Sequence, residues 1–207
     1  METVVLSIEA PEAMPSALEV LRRGGLVAFP TDTVYGVGSL AFNGAAIESI
    51  YAAKDRPPDK AVPVLVGVVD DLARVAFDVP EMAAKLASRF WPGPLTLIFP
   101  KHPALPAVVS ANGTVGVRIP DHAAARKLLR LAGPMAVTSA NISGQPSPST
   151  AAEVFAQLGG RIPLILDGGT TPGGVPSTVV DCVGPDPQVL REGPLTREDI
   201  LAALGLQ

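Results

Sequence analysis

The sequence predicts an α/β fold. Short apolar segments alternate with amphipathic ones along the whole chain, several apolar segments are unbroken runs, and glycine and proline punctuate the joints. Unbroken apolar strands imply cover on both faces of a sheet. The 22 prolines and 20 glycines fall mostly between the segments, notably at 143–150 and 168–176, so they mark loops more than a linker.

Taken in order, residues 4–8 and 26–29 read as strands around a helix over about 11–23, which Gly24-Gly25 terminates. A helix over 44–53 leads into a proline-stiffened loop. A strand at 62–66, a helix at 80–90 and strands at 95–99 and 115–119 follow, then a helix at 123–131 closed by Gly133-Pro134. A buried-type strand at 135–138 runs into Ser139. A helix at 151–158, strands at 164–166, 178–182 and 189–191, and a helix at 196–204 complete the alternation. That last helix opens on Thr196 with Asp199 three residues on, a capping box with Asp in place of Glu. The expectation is one domain over residues 1–207, with no internal repeat.

Composition narrows the function classes. Hydrophobic residues make up 47% and charged residues 17%, which excludes disorder. There is no run of ~18 apolar residues and no basic stretch ahead of an apolar one at the N-terminus, so a cytoplasmic protein with no membrane partner is expected. The lone Cys182 lies in a β-like run and reads as an inert core thiol. With only His102 and His122 beside it, no structural zinc set can be built. A net charge of −4 argues against a nucleic-acid coat but leaves room for one local basic groove.

Such a groove has a candidate in Lys54-Asp55-Arg56-Pro57-Pro58-Asp59-Lys60, where two prolines stiffen a stretch carrying three cations. It is either a solvated basic loop or a phosphate grip. Other polar residues cluster where strands end: Thr31-Asp32-Thr33 after the second strand, Arg118 within 115–119, Thr138-Ser139-Ala140-Asn141 and Arg191. Open α/β sheets bind ligands outside the carboxyl ends of their strands, so these groups are expected on one rim.

Arg118 interrupts an apolar strand and needs an anion, because a buried unpaired cation costs several kcal/mol. That anion is Asp32, Asp121 or a substrate carboxylate held in a bidentate fork. Arg191 pairs either with Glu192 or Glu198, or with a ligand. The 138–141 segment is either a turn or a nucleotide-binding exit. No Ser-His-Asp context, G-x-S-x-G elbow or glycine-rich phosphate loop appears, so any nucleotide must be held by separate Lys and Arg side chains. Trp91-Pro92-Gly93-Pro94 reads as a structural turn anchored by Trp91.

The stretches 25–36, Lys54-Asp55-Arg56-Pro57, 92–96, Val117-Arg118-Ile119-Pro120, 139–144 and 177–181 together resemble the L-threonylcarbamoyladenylate synthases, the YrdC-like proteins of tRNA modification, over nearly the whole chain. The resemblance implies a twisted, mostly mixed open sheet flanked by helices, with a concave basic cavity. It implies threonylcarbamoyl-AMP and pyrophosphate made from L-threonine, bicarbonate and ATP with Mg²⁺, and a transferase complex that then modifies adenosine 37 of tRNAs reading ANN codons. Residue by residue it implies threonine contacts at Thr33, Arg118 and Ser177, and phosphate-binding, catalytic cations at Lys54, Arg56 and Lys60. It also implies nucleotide-lining positions at Thr114, Ser139, Asn141, Ser149 and Arg191.

Asp55 stands where this family often has Gly, and it either orients Lys54 or coordinates the metal. Longer relatives carry a second domain for which 207 residues leave no room, so any lid is expected from loop 168–176. The competing readings are a tRNA or double-stranded RNA binder without chemistry, against which the acidic net charge weighs, and a carbamoyl-phosphate-using hydrogenase-maturation domain, normally part of a much longer chain.

Overall fold

The computed structural model describes residues 2–206. In chain order it places β1 (Val4–Ser7), α1 (Ala13–Arg22), β2 (Val27–Phe29), β3 (Gly36–Leu40), α2 (Gly44–Lys54), β4 (Val64–Leu65), α3 (Leu72–Val75), α4 (Glu81–Phe90), β5 (Leu95–Pro100), β6 (Thr114–Arg118), α5 (Ala123–Ala132), β7 (Met135–Ser139), α6 (Ala151–Leu158), β8 (Leu164–Asp167), β9 (Thr178–Asp181), β10 (Gln188–Arg191) and α7 (Arg197–Leu204). All ten strands join one mixed sheet in the order β1-β8-β2-β3-β7-β4-β6-β5-β9-β10.

Most expected elements occur within a residue or two of their predicted limits, and side-chain caps fix several helix starts. Asn43, His122, Thr150 and Thr196 each accept a backbone N–H in the first turn, and Asp199 closes the expected capping box on Thr196. Strand β3 is an addition. Its sequence Gly-Val-Gly-Ser-Leu reads as a breaker, yet it lies antiparallel between β2 and β7. Glycine is needed there by close approach: a Cβ on Gly36 would sit 2.7 Å from a Val137 methyl, and one on Gly38 2.4 Å from the Ala136 carbonyl.

Alternate residues of each strand feed two apolar layers. On one face Ala28, Val37, Ala136, Val117, Leu95, Leu97 and Val180 pack with α2, α4, α6 and α7, which contribute Ile47, Ile50, Leu86, Val154 and Ile200. On the other face Val27, Phe29, Met135, Val137 and Leu164 pack beneath α1 and α5 through Ala17, Leu21, Ala125 and Leu128. These two helices sheathe only the β1-to-β7 half of that face. The half formed by β4, β6, β5, β9 and β10 stays open, and there the functional residues gather.

Candidate nucleotide and amino-acid cavity

The open half-face holds a cavity of about 340 Å³, lined from β3, β4, β5, β6, β7, β9 and β10 by alternate residues such as Gly36, Leu65, Ile98, Gly116 and Val179. Its polar lining is three arginines, Arg56, Arg118 and Arg191, with the hydroxyls of Thr31, Thr33, Thr96, Thr138, Ser139 and Ser177; among the described residues no carboxylate lines it. The residues therefore meet on a face of the sheet, which corrects the expectation of a single rim. β3, β4, β6 and β10 run opposite to β2, β5, β7 and β9, so the carboxyl end of β6, where Arg118 sits, is not on the same side as that of β2 or β7.

Arg118 is 6% exposed and held on three sides. Its Nε donates to the Gly93 carbonyl at 3.0 Å, one terminal nitrogen to Thr33 Oγ1 at 2.9 Å, and the other to Asp32. The internal carboxylate is thus Asp32, while Asp121 pairs with Arg126. Burial pulls the guanidinium below its ordinary value and Asp32 pulls it back up. A guanidinium carries five N–H donors, so one on each terminal nitrogen remains for a carboxylate fork. The Trp91 turn supplies part of this cradle: the indole donates to the Leu95 carbonyl at 2.7 Å and fixes the loop that offers Gly93.

Arg191 donates through Nε and a terminal nitrogen to the Ser177 carbonyl, not to Glu192 or Glu198. Ser177 Oγ in turn shares a 2.8 Å hydrogen bond with Thr96 Oγ1. Thr31 joins the Thr33 wall, 3.0 Å between hydroxyl oxygens. Thr96 is an addition to the expected set; it lies in a stretch that carries the resemblance, and its position in β5, alternating onto the open face with Ile98, is the signal that singles it out. Loop 168–176 leans on the same wall. Gly174 N–H donates to the Thr33 carbonyl, Thr171 N–H to the Ser149 carbonyl, and Pro176 lines the cavity.

The cationic stretch divides. Arg56 lines the cavity and is braced by the carbonyls of Lys60 and Ala61. Lys60 is exposed and outside the lining. Lys54 is 1% exposed, and its ammonium donates to the carbonyls of Ser139 and Asn141. Burial, with Arg56 adding repulsion, lowers its pKa to about 7. Asp55 ends α2 in the left-handed region at φ 49° and pairs with Arg161 at 2.7 Å, so its carboxylate does not orient Lys54.

Ser139 lines the cavity; Thr114, Asn141 and Ser149 do not. Asn141 is buried, donating to the carbonyls of Ile142 and Gln145 while its Oδ1 has no partner. Cys182 is buried, with its thiol pushed up to about 12 by burial, as an inert core residue should be.

The pattern of the Sua5/YciO/YrdC family, described as "Telomere recombination", matches residues 19–193. The chain belongs to this family. It is 46% identical to the Bacillus subtilis threonylcarbamoyl-AMP synthase over 97% of its own length but only 58% of that protein's. It is 35% identical to the Vibrio cholerae threonylcarbamoyl-AMP synthase over 88% of its own length and 98% of that protein's. The structure of Pyrococcus abyssi Sua5 complexed with L-threonine superposes with a TM-score of 0.94 and 42% identity, covering 98% of this chain and 61% of that one. The chain thus spans a little over half the length of its longer relatives and nearly all of the shorter one. No helix among the described residues is long and apolar enough to cross a membrane.

Proposed function

We propose that the chain makes threonylcarbamoyl-AMP and pyrophosphate from L-threonine, bicarbonate and ATP, supplying a transferase complex that modifies adenosine 37 of tRNAs reading ANN codons. The observation that carries this reading is the convergence of Arg56, Arg118 and Arg191 on one cavity with hydroxyls and no lining carboxylate. A threonine-bound relative of the same fold and a synthase of nearly the same length support it.

Arg118, with Thr33 and Ser177, takes the threonine carboxylate through its two uncommitted N–H groups. The threonine nitrogen bonds to the bicarbonate carbon as water leaves, giving N-carboxythreonine. Its carboxylate oxygen then bonds to the α-phosphorus as the bond to the β-phosphate bridging oxygen breaks, and pyrophosphate departs with the electron pair. This needs positioning and charge neutralisation, not a protein nucleophile. Arg56 and Arg191, with Lys60 reaching in from its loop, neutralise the phosphates, while Ser139, Asn141, Thr114 and Ser149 border the nucleotide. Mg²⁺ enters with ATP as part of the substrate. Protein-held Mg²⁺ normally takes at least one carboxylate, and the lining has none.

The test is incubation of purified protein with ATP, threonine, bicarbonate and Mg²⁺. Threonylcarbamoyl-AMP should appear by mass, with pyrophosphate release that requires threonine and bicarbonate together. Release independent of threonine, or none at all, removes the proposal.

A further inference from the structure

Lys54 is among the largest fully buried side chains of the molecule, lies outside the cavity lining, and among the described residues has no ion-pair partner. A charged group in that setting is retained only where its donors satisfy something specific. What it satisfies are the carbonyls of Ser139 and Asn141, and its own carbonyl accepts the Ser143 N–H. Three ties thus join the end of α2 to the segment leaving β7. The rest of that segment is held by Ala140 N–H on the Tyr35 carbonyl and Ile142 N–H on Gln157. With its two carbonyls drawn inward to Lys54, Ser139 keeps its place in the cavity wall.

We propose that Lys54 is a positioning residue: it locks the Ser139–Asn141 exit of β7 into the shape that receives the nucleotide, and does not itself touch the phosphates. This rests on the reading of the cavity as an ATP site. The charged groups near Lys54 agree with such a role. Arg56 from the following loop repels it, Asp55 turns away to Arg161, and the 139–143 segment carries no ionisable side chain.

The test has a ligand-free arm and a liganded arm. Without ligand, Lys54→Met should raise amide hydrogen exchange at residues 140–145 at least tenfold while the core strands keep their protection, and it should weaken AMP and ATP binding by similar factors. On the wild-type protein, the Lys54 side-chain ¹⁵N and ¹³Cε resonances should hardly move when Mg–ATP is added, a measurement that does not depend on the variant folding. Unchanged exchange together with a loss confined to ATP, or a large shift of the Lys54 resonances, overturns the proposal and makes Lys54 a direct phosphate ligand. If the exchange arm behaves as expected but wild-type protein binds no nucleotide, the anchor stands and the synthase reading falls.

Discussion

The two ends of the cavity are built to different standards. At the Arg118 end the cation is buried, gripped by the Asp32 carboxylate and Thr33 hydroxyl of one loop and the Gly93 carbonyl of another, and aimed before any ligand arrives. At the Arg56 end the cation stands on a proline-bounded loop, half-buried and braced only by carbonyls four and five residues on, with Lys60 beside it in solvent. The difference teaches a division of labour. A small carboxylate is recognised by fixed geometry, whereas a polyphosphate with many rotamers is met by charges that can follow it.

The sharpest way to break that comparison is Arg118→Ala. It strands Asp32 in a nearly dry site and deletes the fork, so threonine-dependent turnover should fall about 100- to 1,000-fold, with a measurable loss of thermal stability. Arg56→Ala should cost less, about ten- to a hundredfold in turnover, because it removes charge-assisted bonds of roughly 1.5–3 kcal/mol and strands no buried carboxylate; its melting temperature should barely move.

Lys54 tests the intermediate case through pH. Its folded pKa, about 7, lies below its ordinary 10.5, so between those values the unfolded chain holds the extra proton and stability rises with pH. Compared by denaturant titration, wild-type protein should gain on Lys54→Met by up to ~1.4 kcal/mol per pH unit across that window, and parallel curves would place the ammonium in solvent. Lys60→Ala should reduce turnover about two- to fivefold, the scale of an exposed charge; a hundredfold loss would mean that this loop is as fixed as the Arg118 end. Asp55→Gly is the mildest. It relieves a left-handed φ and gives up a pair whose side chains are 62% and 43% exposed, so stability should stay within about 1 kcal/mol. Turnover should be unchanged, and a rise in the Mg²⁺ concentration that turnover requires would give Asp55 the metal role.

Much of this arrangement was legible in the residues. The alternation of apolar and amphipathic segments placed the elements, and the need of Arg118 for an anion was written into its position in an apolar strand. What escaped was direction and depth. β3 hid because its two glycines look like breakers when read along the chain, and only the closeness of Val137 and Ala136 explains them. The general rule that open sheets bind ligands at their strand ends then put the polar residues on a rim instead of a face. Nor does spacing say which cation of Lys54, Arg56 and Lys60 faces inward. Helix α2 runs on through Lys54 itself, carrying that side chain under the β7 exit and leaving Arg56 alone on the cavity.

The half-sheathed face has a further consequence. Wherever α1 and α5 stop, Ile98, Val179 and Gly116 lie half-covered above a fully packed opposite layer, so the free protein stands one layer short on that side. A nucleotide lying there would serve as a removable piece of the interior. The melting temperature would then report occupancy directly, climbing with the logarithm of ligand concentration once that exceeds Kd.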